Sequence, residues 1–178
     1  MLHTLAAFVP VAVVVTITPG PATAMVVRSA AVGGRRHALA CTAGNSIGVL
    51  AWAVLAAAGL AAAVATSAAV FTAVKLAGAA VLVVIGLRSM LGRREGAAQA
   101  AVRAHPRDDG RALRDGLATS LSNPKLAVFY VALFPQFVPA GSPVLPAALL
   151  MAATIVAFDC AWYSALAYAV ARARRAFV

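Results

Sequence analysis

Val144–Val170 reads VLPAALLMAATIVAFDCAWYSALAYAV, 27 residues in which Asp159 is the only charged side chain. A helix needs about 20 mostly apolar residues to cross a bilayer core of ~30 Å. The stretch is long enough for that, and longer than a core helix of a soluble domain requires. Working back from it, Pro139-Ala140-Gly141-Ser142-Pro143 is a turn in which two prolines end one helix and restart another. Before the turn lies a second apolar run, 117–138. Three more precede it, 71–91, 38–65 and 5–27, with a short small-residue link Thr66-Ser67-Ala68-Ala69 between two of them. Residues 92–114 form the only long hydrophilic segment, rich in Arg, Ala and Gly, and read as a linker rather than a second domain. The sequence predicts an all-α membrane protein: a polytopic bundle of about five transmembrane helices in a single domain over residues 1–178.

Composition agrees. The chain is 63% hydrophobic and 11% charged, with a mean hydropathy of +0.91. A soluble domain carries roughly 25% charged residues, so a soluble enzyme, a secreted disulfide scaffold and a disordered chain are excluded. Cys41 and Cys160 both lie in apolar runs and read as small packing residues. Ala22-Thr23-Ala24 looks like a signal-peptide cleavage site, but Met1–Thr4 carries no Lys or Arg and the apolar run is too long for a signal core. The first run is therefore read as a retained helix.

Fifteen Lys plus Arg against five Asp plus Glu give a formal charge of +10. The basic residues sit between the apolar runs with no interleaved aromatics, so they predict lipid headgroup contact and orientation, not nucleic-acid binding. Arg28, Arg35 and Arg36 occupy the first link, Arg88 to Arg114 the third, and Arg172, Arg174 and Arg175 the tail. The residues before the first run and the fourth link have none, and the second has only Lys75, placed to snorkel. The positive-inside rule then puts the N-terminus outside and the tail in the cytoplasm.

Three features inside the runs are not those of a lipid-facing helix. Thr18-Pro19-Gly20-Pro21 interrupts the first run: two prolines around a glycine remove two amide donors, so the first helix is broken there. Within a bilayer such a break persists only where protein or a water-filled cavity satisfies the freed groups. Ser122-Asn123-Pro124-Lys125 breaks the fourth helix in the same way and adds a charge, from one of only two lysines in the chain. Both breaks are expected inside the bundle and near one another, although Lys125 could instead snorkel to a membrane face. Asp159 is the only acidic residue within any run, and Trp162 and Tyr163 follow it. An ionised carboxylate at mid-membrane costs on the order of 2.5–3.5 kcal/mol, so Asp159 is expected to face the interior. There it would be ion-paired with Lys125, or else exchange a proton or bind a substrate ammonium. Gly44, Asn45 and Gly48 place small and hydrogen-bonding residues on one face of the second helix, suited to close helix contact. His3, His37 and His105 are scattered and suggest no metal site. With no nucleophile–base grouping at membrane depth and no cofactor motif, the sequence does not read as an enzyme.

These motifs together resemble the lysine-exporter superfamily (LysE/RhtB type). Thr18-Pro19-Gly20-Pro21 is similar to that family's first-helix signature. Gly33-Gly34-Arg35-Arg36 with Gly44 and Gly48 is similar to the start of its second helix, and Val74 to Gly86 to its third. Asp115-Gly116 through Asn123-Pro124-Lys125 to Phe134-Pro135-Gln136-Phe137 resembles its most specific block, and Asp159 with Trp162 falls where the family carries an aspartate and a tryptophan. The resemblance implies a multi-pass secondary transporter of the bacterial inner membrane that exports amino acids or similar small metabolites, driven by the proton-motive force. It implies that Thr18, Pro19, Gly20, Pro21, Asn123, Pro124 and Lys125 shape the substrate path and that Asp159 couples protons or binds the ammonium. Gly44, Asn45, Gly48 and Trp162 then pack helices or border that path. Expected partners are a small-molecule substrate and the lipid bilayer; homo-oligomerisation is compatible with the sequence. Family members typically have six helices, and this chain shows five. A non-transporting membrane subunit, or a truncated and inactive exporter, is the alternative reading.

Overall fold

A computed structural model describes residues 2–66, 76, 108–138 and 142–176. The expected third span, 71–91, lies outside the described residues apart from Leu76, as do linker residues 92–107. The described elements are all helical: α1 (Leu2–Ile17), α2 (Pro21–Thr66), α3 (Asp109–Leu121), α4 (Pro124–Val128) and α5 (Val144–Ala176). A π-helical turn (Phe129–Leu133) and a 3-10 turn (Phe134–Phe137) continue α4.

The first break falls where the prolines predict, because α1 ends at Ile17 and helix resumes at Pro21. Residues 28–37, expected as a loop, are helical instead, since α2 continues through all of them. The chain nevertheless reverses inside α2. A straight helix would separate Pro21 from Asn45 by ~36 Å at 1.5 Å per residue. Thr16, five residues before Pro21, and Asn45 instead bond the same carboxylate, that of Asp159. The corner is Gly34, at φ 77° and ψ −171°, a region open essentially to glycine alone. One glycine therefore replaces the expected loop, leaving limbs 21–33 and 35–66 as antiparallel arms.

The fourth span begins earlier than the expected residue 117, because α3 starts at Asp109. The Asp108 side chain caps it by accepting from the Arg111 amide at 3.1 Å. A cap of this kind satisfies a donor that the helix cannot satisfy internally, so charged residues 109–115 remain helical. The span then bends by 47° between α3 and Pro124–Phe137. α5 has 33 residues, ~50 Å of helix, and runs six residues beyond the expected end at 170. Two described helices are long and apolar enough to cross a bilayer, and the bent pair makes a third.

Two apolar clusters divide the interior. Phe8, Ala12, Val49, Ala53, Leu126, Phe129, Tyr130, Met151 and Ile155 belong to one. Ala22, Val26, Ala30, Ala38, Cys41, Ala112, Tyr163 and Ala167 belong to the other. Only α2 and α5 pass from one cluster to the other, and between the clusters lie the buried polar residues Thr16, Asn45, Ser120, Asn123 and Asp159. Arg36 pairs with Asp109 at 2.6 Å, which ties the Gly34 corner to the start of α3. Through this tie and the second cluster, Arg28, Arg35, Arg36, Arg111, Arg114 and Arg172 share one end of the bundle.

Candidate functional site: a polar layer between two helix breaks

Close backbone contact sets the layer. A Cβ on Gly116 would collide with the carbonyl of Cys41, and one on Gly44 with the carbonyl of Leu113. A Cβ on Gly48 would meet the Ser120 side chain. The second limb of α2 and α3 thus touch backbone to backbone, the role expected of Gly44 and Gly48, and Gly116 supplies the matching surface. This contact brings Asn45 into the interior, 2% exposed.

Asp159 is buried and its two oxygens are held separately. Thr16 Oγ1 donates to Oδ1 at 2.9 Å, and Asn45 Nδ2 donates to Oδ2 at 3.1 Å. Two neutral donors from different helices therefore carry the carboxylate through the apolar interior, where an unpaired polar group would be costly. Asn45 Oδ1 has no partner among the described residues, which leaves an open acceptor beside the acid. Thr42 and Ser46 on the same limb donate to the Ala38 and Thr42 carbonyls of their own helix, and Ser46 Oγ also meets Cys160 Sγ of α5 at 3.8 Å.

The two breaks meet at Lys125. Residue 19 of an uninterrupted helix would donate its amide to Val15 O, and Pro19 has none. Lys125 Nζ takes that place, donating to Val15 O at 2.8 Å and to Thr18 O at 3.0 Å. A cation is also the charge that the C-terminal end of α1 favours. The second break repeats the solution. Pro124 cannot donate to Ser120 O, which accepts instead from the Asn123 amide at 3.2 Å and from the indole Nε1 of Trp52 at 3.1 Å. Asn123 caps α4, its Oδ1 accepting from the Lys125 amide at 3.0 Å, with Pro124 in the first helical turn, where a missing amide is harmless.

Asn123 is buried and Gly20 and Lys125 are half-buried, but Thr18, Pro19 and Pro124 are exposed. The breaks are adjacent as expected, and the described residues enclose them only in part. Of the alternatives open to Asp159, the ion pair with Lys125 does not occur among the described residues; Lys125 donates to the Val15 and Thr18 carbonyls instead. Trp162 is half-buried and lines a groove of about 290 Å³ that also reaches Thr16, and its buried Nε1 has no partner among the described residues. Sequence reasoning alone does not single out Thr16 and Trp52, although each carries a signal. Thr16 precedes the first break directly, and Trp52 is the sole indole of its run. Among the described residues no group of side chains could hold a metal ion.

A family model described as LysE type translocator matches residues 13–178. The chain belongs to that family. It is 35% identical to a membrane protein of Vibrio cholerae, over 89% of this chain and 76% of the relative. It is 30% identical to the homoserine/homoserine lactone efflux protein of Salmonella typhimurium, over 86% of this chain and 73% of the relative. A leucine efflux protein of Klebsiella pneumoniae is 34% identical over 71% of this chain and 59% of that relative. No solved structure matches. This translocator is thus a multi-pass membrane protein of a transporter family.

Proposed function

We propose that the chain is a secondary transporter that exports amino acids or closely similar metabolites, coupled to protons through Asp159. The observation that carries the reading is the buried Asp159 carboxylate, bonded by Thr16 and Asn45 beside two interrupted helices. A carboxylate held by neutral donors, with an open acceptor at Asn45 Oδ1, suits a primary ammonium, which brings three donors. Lys125 and the interrupted backbone supply the cation and dipole ends that suit the substrate's carboxylate. The efflux names of two relatives support an amino-acid cargo. The orientation that fits export has the basic end in the cytoplasm.

The test is efflux from proteoliposomes with an imposed pH gradient and labelled homoserine, leucine, alanine and lysine. Asp159→Asn keeps the shape and one acceptor while removing the exchangeable proton. It should insert and fold yet lose efflux or its response to the pH gradient. Unchanged efflux with an unchanged pH profile would remove Asp159 from the coupling.

A further inference from the structure

The hydrogen bonds around the two breaks form a circuit, and Trp52 closes it. Thr16 and Asn45 hold the two oxygens of Asp159. One residue before Thr16, the Val15 carbonyl accepts from Lys125 Nζ. The Lys125 amide donates to Asn123 Oδ1, and the Asn123 amide donates to Ser120 O. Trp52 Nε1 donates to the same Ser120 oxygen at 3.1 Å. Trp52 and Asn45 lie on one limb of α2, separated by about two helical turns, and so share a face. A path that leaves Asp159 through Thr16 therefore returns to it through both breaks, Trp52 and Asn45, and every member is a described residue.

Two observations set the Trp52 bond apart from an incidental contact. Ser120 is 0% exposed, so the place that Pro124 leaves vacant at its carbonyl is filled from within the protein. Gly48 stands between Asn45 and Trp52 on the same face, and a Cβ there would meet the Ser120 side chain. The bare glycine lets α3 approach closely enough for the indole to reach. The bond also acts at the bend, where Pro124–Phe137 leaves α3 at 47° and the direction of departure decides where Asn123 and Lys125 stand. Resting on the proposed export of amino acids, we infer that Trp52 is a positioning residue of the transport site. By holding Ser120 O it keeps the second break, and with it Lys125, in register with Asp159. The role is indirect: the indole acts through Ser120 and Asn123, and the substrate's two charged ends meet Asp159 and Lys125. A ring that only filled space at position 52 would not need its N–H; a positioning residue does.

Benzothienylalanine in place of Trp52 tests this directly, because sulfur replaces the indole N–H while the shape of the ring is kept. In proteoliposomes with an imposed pH gradient and labelled leucine or homoserine, efflux should fall on the order of tenfold, as small misplacements of a binding group do, at near-native thermal stability. Fluorotryptophan at the same position keeps the N–H and should restore native efflux. Native efflux with benzothienylalanine, or a loss matched by an equal loss with fluorotryptophan, would overturn the role and leave amino-acid export standing. A second measurement needs no transport. In a Trp162→Phe chain Trp52 is the only indole, and its fluorescence emission reports its surroundings. Thr16→Val and Lys125→Met, at two other joints of the circuit, should shift that emission. Thr42→Val, on the same limb but bonded to its own helix, should not. Emission unmoved by both joint variants, or moved as far by Thr42→Val, would overturn the register that Trp52 is held to maintain. Absence of efflux for every labelled amino acid would instead bring down the export reading and the transport role with it, while the emission decides the register separately.

Discussion

Lys125 shows how one side chain answers a specific backbone deficit. Pro19 leaves Val15 O without its helical donor, and Lys125 Nζ supplies one at 2.8 Å. Replacing Lys125 by Met removes that donor and the bond to Thr18 O, and should cost about 1–2 kcal/mol in a detergent unfolding titration, as interhelical polar contacts in membranes do. Pro19→Ala restores an amide to residue 19 and should recover part of the loss in the double variant, by an interaction on the order of 1 kcal/mol. Strict additivity of the two substitutions would show that Lys125 does not stand in for the missing amide. Thr16→Val should likewise keep the helix and its packing while releasing Asp159 Oδ1, shifting the pH profile of efflux without abolishing insertion. An unmoved profile would make Thr16 a packing residue. These partners explain which parts of the site are legible in the sequence. Pro19, Asn123, Pro124, Lys125 and Asp159 are legible because each violates an apolar helix by its chemistry alone. Thr16 and Trp52 violate nothing: a threonine in a membrane helix can bond its own backbone, as Thr42 does. Only the neighbour across the interface shows otherwise.

Helices here are set by their ends and by glycine contacts more than by apolar length. The run from 5 to 65 reads as two spans with a loop, yet the loop is one residue, Gly34, at φ 77°. A hydropathy pattern registers charge at Arg35 and Arg36 as loop, whereas arginine is a good helix former that extends into headgroups. The same physics places the start of α3 at Asp109, where the Asp108 cap outweighs the polar character of its first turns. The prolines that mark the breaks are legible because a missing amide is a local property of the residue. Gly34→Ala should therefore cost about 1–3 kcal/mol through strain at a glycine-only conformation. Gly116→Val should be worse. Its Cβ would strike the Cys41 carbonyl, prising α3 from α2 and carrying Asn45 away from Asp159. Reduced thermal stability together with lost efflux is the expected result. Native stability in Gly116→Val would mean that the backbone contact does not hold the layer.

At the scale of the whole molecule, charge and polarity are sorted along one axis. The described arginines gather at the Gly34 end, joined by the Arg36–Asp109 pair. The polar layer lies between two apolar clusters, and α1 starts at the opposite end from the Gly34 corner. Arginines stand in alternate links of the sequence, and folding collects the described ones into a single rim, which is why the all-α bundle and its polarity are legible before any contact is known. An asymmetric rim of this kind predicts orientation: arginines are retained on the cytoplasmic side during insertion, where anionic lipids also hold them. The exposed Cys160 is the reactive background and Cys41 is buried, so the measurement starts from Cys160→Ser. In that chain His3→Cys, on the exposed start of α1, should react with a membrane-impermeant maleimide added to intact cells. Arg114→Cys, exposed on α3 at the basic end, should react only after permeabilisation. Efficient labelling of Arg114→Cys from outside, with His3→Cys protected, would invert the molecule. The same Asp159 site would then face the opposite proton gradient, and export would have to be replaced by uptake.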